Sequence, residues 1–288
     1  MNQTVSQLLE FFERHPHWVV LTGAGVSAAS GIPTYRNRSG QWLRNRPIQH
    51  QEFLTSEDAR RRYWGRSMVG WPAIRDAAVN DNHLALTALE QAGHVSLTIT
   101  QNVDRLHQRA GTREVIDLHG RLDRVRCLDC GAGLDRQEIQ RELERLNPEH
   151  MRRAGAIRPD GDADLTPEQV KNIQIWDCPA CAGLLKPDVV FFGGSIPRAR
   201  IEYCESALAA ADGLLVLGSS LQVFSGYRFC RLAVELGKPL VILNEGITRA
   251  DEIATLKAST DALRLFRQTV GLLTATRHAA TTEGAQHA

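Results

Sequence analysis

Two Cys-x-x-Cys pairs, Cys127/Cys130 and Cys178/Cys181, constrain this chain more than any other feature. Two thiolates separated by two residues reach one metal ion from a single tight turn, and two such pairs complete the tetrahedral four-thiolate shell of closed structural zinc sites. A closed shell has no open position for catalysis, so the predicted ion holds structure together. The intervening segment, residues 131–177, is far longer than the roughly 15–20 residues of common zinc ribbons. That length argues against a simple finger and for a separate module. Redox pairing is the competing use of the motif, while Cys204 and Cys230, in helix-like stretches, read as small core residues.

With 288 residues the chain can build one large α/β core plus a smaller module. Lys+Arg and Asp+Glu nearly cancel at 34 and 33, so no global basic field argues for nucleic acid or an anionic membrane surface. The stretch from Met1 to Val20 has no apolar core region or cleavage site, and no run reaches the roughly 18 apolar residues of a membrane span. Together with free cysteines, this predicts a cytoplasmic protein. Residues 276–288, rich in Thr, Ala, His and Gly, predict a flexible tail.

Short apolar runs alternate with amphipathic stretches. Trp18–Thr22, Val95–Thr100, Val189–Phe192, Gly213–Leu217 and Pro239–Leu243 read as buried strands of a parallel sheet with helices on both faces. Ser56–Val79 is helix-like but interrupted at Gly70 and Pro72, which predicts two helices or a helix and a bend, within a helical insertion covering about residues 50–80. Between the cysteine pairs, Leu134–Leu146 has helical spacing, and Arg158–Asp164 reads as an exposed loop.

Directly after the first strand comes Gly23-Ala24-Gly25-Val26-Ser27-Ala28. A glycine-rich turn feeding a helix lets backbone N–H groups approach a pyrophosphate without Cβ clashes. A tight strand-to-helix turn would look the same. The acidic residue expected about 20 positions on in a dehydrogenase is missing, so an ordinary dehydrogenase loop is excluded.

The order of the motifs beyond the glycines is more specific: Gly31-Ile32-Pro33-Thr34-Tyr35-Arg36, Thr100-Gln101-Asn102-Val103-Asp104, Leu118-His119-Gly120, the cysteine pairs, Lys186-Pro187-Asp188-Val189-Val190-Phe191-Phe192-Gly193, Gly218-Ser219-Ser220-Leu221, and Asn244. This series resembles the sirtuin family of NAD-dependent protein deacylases over roughly residues 10–275. The segments Arg62–Arg66 and Val69–Pro72, with the long inter-cysteine insertion, look most like its class II branch. The resemblance implies an α/β fold: a Rossmann-like parallel-sheet domain (1–120 and 186–275) carrying an inserted, smaller zinc-binding module (121–185).

It also implies roles. Gly23, Ala24, Gly25 and Ser27 would cradle the phosphates of NAD, and Tyr35 and Arg36 would close over its nicotinamide ribose. Gln101, Asn102, Val103 and Asp104 would hold that ribose and the carboxamide, a planar group needing both donors and acceptors. Gly218, Ser219 and Ser220 would contact the adenosine side. Asn244, Glu245, Gly246 and Ala262 would line the adenine-ribose end. Cys127, Cys130, Cys178 and Cys181 would bind one structural zinc ion. Val190, Phe191 and Phe192 would offer a strand edge to the substrate peptide, although a plain buried strand has the same composition. His119 would be the general base, with Asn102 and Asp104 beside it in the catalytic group. In the implied mechanism the acyl oxygen of an acylated lysine displaces nicotinamide at C1′, and His119 deprotonates the ribose hydroxyl that attacks the resulting alkylimidate. The implied partners are acylated-lysine proteins, with no nucleic acid and no membrane. Oligomeric state is left open.

The sequence departs from the family pattern at Thr34, where members usually have Asp, and at Gly194, where Glu or Asp is usual. Tyr63 and Arg66 reproduce the spacing used by sirtuins that act on succinyl-lysine, since an arginine fork suits a distal carboxylate. A solvated basic helix face beside Arg60, Arg61 and Arg62 is the other reading. Three rival functions share parts of the pattern: mono-ADP-ribosyl transfer, a non-catalytic NAD-sensing module, and a zinc-finger nucleic-acid binder. The last lacks any aromatic platform between the cysteine pairs.

Overall fold

The computed structural model describes residues 2–41, 43, 47–150 and 155–284, with the backbone only for 276–284. The larger sheet contains β1 (Trp18–Thr22), β2 (Val95–Thr100), β3 (Val115–Asp117), β7 (Gly213–Leu217), β8 (Leu240–Leu243) and β9 (Leu256–Ala258). Its order is β3-β2-β1-β7-β8-β9, and every pairing is parallel. Side chains alternate across it. Trp18 and Val20 join one core with α1 (Gln3–Arg14), α4 (Asp81–Gln91) and α10 (Ala262–Gly284). Val19 and Leu21 join the other with α8 (Arg198–Ala210) and α9 (Phe224–Glu235). Burial on both faces explains why β1, β7 and β8 read as nearly unbroken apolar runs. Among the described residues, no helix is long and apolar enough to cross a membrane.

A second, antiparallel sheet is ordered β5-β4-β6, from β4 (Gly120–Cys127), β5 (Gly133–Asp135) and β6 (Leu185–Val189). Packed on it are α6 (Arg136–Leu146), α7 (Pro167–Val170), α2 (His50–Thr55) and α3 (Glu57–Asp76). Phe53, Tyr63, Trp64 and Met68 share its core with Val125, Ile139, Leu143, Val170 and Ile173. The helical insertion therefore buries its apolar side in the smaller layer. The short α5 (Leu106–Arg109) lies beyond β2.

The expected interruption in residues 56–79 does not occur: α3 is one helix through Gly70 and Pro72. Pro72 has no N–H to offer the Met68 carbonyl four residues back. The buried side chain of Gln140 supplies the missing donor at 2.8 Å. Gly70 is required by packing, because an added Cβ would lie 2.5 Å from the Asp162 carbonyl carbon and the Gly161 oxygen. Gly70→Ala should thus force backbone apart and lower stability by about 1–3 kcal/mol. A thermal melt checks this, and an unchanged midpoint would contradict it.

The same contact corrects the reading of Arg158–Asp164 as exposed. Arg158 and Asp162 are 5% exposed and Ala163 is fully buried, because the Ala163 N–H bonds to the Arg66 carbonyl at 3.0 Å and draws the loop onto α3. The run at 189–192 also differs. Its strand is Leu185–Val189 in the small sheet, and Phe191 leaves it to pack on Phe53 and Tyr63. At the C-terminus, α10 extends to Gly284, and residues 285–288 of the expected tail lie outside the described residues.

Candidate active site

The chain leaves β1 toward β2 on one side, while β7 and β8 extend the sheet on the other, so the strand order reverses between β1 and β7. Ligands of open α/β sheets bind at the carboxyl ends of the strands flanking such a point. There the Gly23 N–H bonds to the Leu217 carbonyl (3.0 Å) and the Gly25 N–H to that of Gly218 (2.9 Å). A Cβ on Gly23 would sit 2.8 Å from the Gly218 oxygen, and one on Gly25 2.9 Å from the Gly218 Cα. The loop can lie this close to the end of β7 only without side chains. It continues as a 3-10 helix over Ala24–Ser30.

At the end of β2, Gln101 donates from Nε2 to the Thr22 carbonyl (3.2 Å) and to Ser219 Oγ (2.8 Å). Asn102 Nδ2 donates to the Gly23 carbonyl and to Ser27 Oγ, each at 3.1 Å. Ser27 is fully buried, and its hydroxyl donates to Asp104 Oδ2 at 2.7 Å. The other Asp104 oxygen accepts the Leu106 N–H at 2.9 Å. Burial pushes the Asp104 carboxyl up, against the downward pull of these two donors. Behind this layer, burial holds His83 and His107 neutral, pushed down to about 4 and about 3. His107 Nε2 meets Thr22 Oγ1 at 2.9 Å. Val103, beside them, is buried against Trp71 and Leu122.

His119, half-buried at the start of β4, is fixed at both nitrogens. Nδ1 lies 3.0 Å from the Gln101 carbonyl, which can only accept, so Nδ1 carries the proton. Nε2 is then the free base and accepts from Ser225 Oγ at 2.8 Å. Burial lowers the His119 pKa and nearby Arg200 lowers it further, while the Gln101 carbonyl opposes them. The neutral form accordingly persists below the usual histidine range. If His119 is the base, the acid limb of kcat/KM should fall below about pH 6.5, and Arg200→Gln should move it to higher pH. A pH–rate profile reads both, and a limb unmoved in the variant would contradict this.

At the far end, Asn244 is 7% exposed and donates to the Glu245 carbonyl at 3.1 Å. Glu245 accepts the Ala262 N–H (3.0 Å) at the start of α10 and pairs with Arg38 at 3.5 Å. Gly246, at φ +87°, lies so close to Arg38 that a Cβ would strike the Arg38 carbonyl oxygen. The 34–41 segment is tied down internally: Thr34 Oγ1 donates to the Arg36 carbonyl (3.0 Å), and Arg36 to that of Gly40 (2.7 Å). Ser220 stands between these groups and β7, its carbonyl accepting the Arg249 N–H.

Next to His119, the Val190 N–H bonds to the His119 carbonyl at 2.7 Å. Phe192 bridges to Gln49 and stands edge-on to Tyr35 at 6.4 Å. Phe191, 9% exposed, faces the small-layer core. Tyr63 is 4% exposed and Arg66 half-buried. The guanidinium of Arg66 donates to the Leu165 carbonyl at 3.2 Å, which removes it from the solvated face it could have formed with Arg60–Arg62. No motif in the sequence points to Ser225, Arg200, Asp160 or Asp162. Burial and the two carboxylates of Asp160 and Asp162, in the inter-cysteine segment, raise the Tyr35 phenol pKa.

Cys127, Cys130, Cys178 and Cys181 bring their sulfurs within 4.8 Å of one another. Cys127 and Cys181 are 3.5 Å apart, and Cys130 and Cys178 3.8 Å. A tetrahedron with Zn–S bonds of about 2.3 Å has sulfur–sulfur edges of about 3.8 Å. Four cysteines are therefore positioned to bind a zinc ion. Cys204 and Cys230 are buried in the large core.

A Rossmann-like sheet with glycine, amide and carboxylate groups at its switch point, joined to a module with four cysteines placed for a metal ion, is the architecture of the nucleotide-binding α/β class. The model of the Sir2 family matches residues 23–225. An NAD-dependent protein deacetylase of Xanthomonas campestris pv. campestris is 51% identical over 257 residues, covering 89% of this chain and 88% of that one. NAD-dependent protein deacetylase 2 of Bradyrhizobium diazoefficiens is 49% identical, covering 87% and 92%. A solved structure of Sir2 with p53 peptide and NAD+ superposes with a TM-score of 0.74 at 29% identity, covering 94% and 98%. A Sir2 complex with an inhibitor, 2′-O-acetyl-ADP-ribose and deacetylated p53 peptide gives 0.73 at 29%, covering 92% and 97%. This chain belongs to the Sir2 family.

Proposed function

We propose that the chain is an NAD-dependent protein lysine deacetylase, transferring the acetyl group of an acetyl-lysine substrate to ADP-ribose with release of nicotinamide. The observation that carries this is His119, its tautomer set by the Gln101 carbonyl and its Nε2 basic, at the same strand ends as the Gly23–Gly25 loop, Gln101, Asn102 and Asp104. Relatives of about half identity named as NAD-dependent protein deacetylases support it.

NAD supplies a ribose carbon made electrophilic by its nicotinamide leaving group. The residues have these roles. Backbone N–H groups of the glycine loop hold phosphate, with Ser219 and Ser220 on the adenosine side. Asn102 and Asp104, braced by the buried Ser27 hydroxyl, orient the ribose and carboxamide. His119 accepts a proton at Nε2. The half-buried segment at Val190 and Phe192 receives the substrate backbone, and Phe191 anchors it in the core. Glu245 positions Asn244 and the start of α10. Cys127, Cys130, Cys178 and Cys181 would hold zinc and so tie the two ends of the inter-cysteine segment together, and free cysteines support a reducing, cytoplasmic location.

Acetyl is the acyl group best supported. The relatives are named for deacetylation, and the Arg66 guanidinium is committed to the Leu165 carbonyl at 3.2 Å, while Tyr63 is 4% exposed. The double variant Tyr63→Phe/Arg66→Met should leave the ratio of kcat/KM for acetyl and succinyl peptides unchanged. A selective loss of succinyl turnover would restore the acidic-acyl reading. The function itself is tested by incubating the protein with acetyl-lysine peptides, with and without NAD, and weighing the peptides. Acetyl loss without NAD, or none with it, refutes the proposal.

A further inference from the structure

Beside the catalytic histidine, the first turn of α9 presents an aromatic pair under two guanidinium groups. Phe224 is 47% exposed and immediately precedes Ser225, which reaches His119. Its ring stands edge-on to Tyr227 at 6.4 Å. The Arg249 guanidinium lies 4.5 Å from the Tyr227 ring centre and 5.9 Å from that of Phe224, and the Arg228 guanidinium 5.4 Å from Phe224. Nearby arginines are answered by carboxylates: Arg231 by Glu235 at 3.2 Å, and Arg198 by Glu202 at 2.6 Å. Among the described residues, Arg228 and Arg249 form no such pair, and neither does Arg200, whose guanidinium donates to the Leu118 carbonyl next to His119.

Stacking on an aromatic face orders a guanidinium while leaving its N–H edges free, and that planar fork matches a carboxylate. The backbone of Arg249 is itself held, its N–H bonded to the Ser220 carbonyl at 3.0 Å. Val223, 37% exposed, adds apolar surface beside Phe224. The candidate peptide segment at Val190 and this turn both contact His119, through the Val190 N–H on its carbonyl and Ser225 Oγ on its Nε2, so a chain bound at that segment carries its neighbouring side chains toward the turn.

We propose that this rim is a subsite for residues flanking the acetyl-lysine and that it selects acidic side chains. The inference rests on the deacetylase reading and narrows its substrates to acetyl-lysines in acidic surroundings. The guanidinium forks bind Asp or Glu, and the Phe224 ring covers the stem of that side chain.

The test is steady-state kinetics of the full chain on matched acetyl-lysine peptides bearing Asp/Glu, Gln/Ala or Lys/Arg within two residues of the acetyl-lysine, at saturating NAD. Acidic peptides should have a KM lower by about fivefold than neutral ones, with the gap closing as salt is raised. Arg249→Glu should invert the order in favour of basic peptides and leave turnover of the neutral peptide intact, which also shows that the variant is folded. Arg228→Gln should weaken the preference without inverting it. Equal KM values across the set overturn the proposal, and so does an Arg249→Glu effect on the KM for NAD instead of peptide. Absence of turnover on every peptide overturns the deacetylase reading beneath it.

Discussion

Replacing His119 with alanine lowers kcat for an acetyl-lysine peptide by about 10²–10⁴-fold, the range of a positioned general base, while thermal stability changes little. Size and direction both follow from the geometry. Nδ1 is committed to the Gln101 carbonyl, leaving Nε2 as the only basic position. Removing the ring leaves the Gln101 carbonyl near solvent at a half-buried site, so the structural cost is small. His119→Asn, which can hydrogen-bond but cannot take up a proton near neutral pH, should fail equally. Substantial turnover in either variant would mean that the proton goes elsewhere and that the hydrogen bonds of His119 are structural.

Zinc removal should have the larger effect on the fold. Cys127 and Cys178 are 1% and 3% exposed and belong to the same core as Tyr63, Trp64 and Ile139. Without the ion, four sulfurs lie at the approach distances of a metal shell with nothing to hold them there. Structural zinc of this type contributes on the order of 10 kcal/mol to small modules. Cys127→Ser or strong chelation should therefore melt the smaller layer, release one zinc per chain, and abolish activity in step with the loss of structure. Circular dichroism with elemental analysis checks this. Activity lost while both layers stay folded would point to a metal with a chemical role.

The four strands Trp18–Thr22, Val95–Thr100, Gly213–Leu217 and Leu240–Leu243 were legible because burial on both faces makes them mostly apolar and β-branched. β3, β4, β5 and β9 were not, since they are short or polar and are defined by their partners. Pro72 misled for a specific reason: local rules predict a break where a carbonyl loses its donor, and the replacement donor, Gln140, lies on another helix. The Arg158–Asp164 loop looked exposed for the converse reason. Its charges are buried against α3, and nothing local reveals that Gly70 leaves room for them.

In the site, the glycine loop and the cysteine pairs carry their chemistry in residue type and spacing, whereas His119 stands out only through the motif order that resembles the Sir2 family. Ser225 could not, as a serine 106 positions from His119 in sequence becomes its hydrogen-bond partner only through the packing of α9. Ser27 was legible as part of the glycine loop. Its inward hydroxyl, bridging Asn102 and Asp104, became visible only with the fold.

The most direct test of deacetylation at His119 is the stoichiometry of one reaction: purified chain, NAD and an acetyl-lysine peptide, with nicotinamide, free-lysine peptide and acetyl-ADP-ribose quantified together over time. The three products should rise in equal amounts from the wild-type chain and fall together in His119→Ala. Nicotinamide release matched by ADP-ribose bound to protein, with the peptide still acetylated, would contradict it.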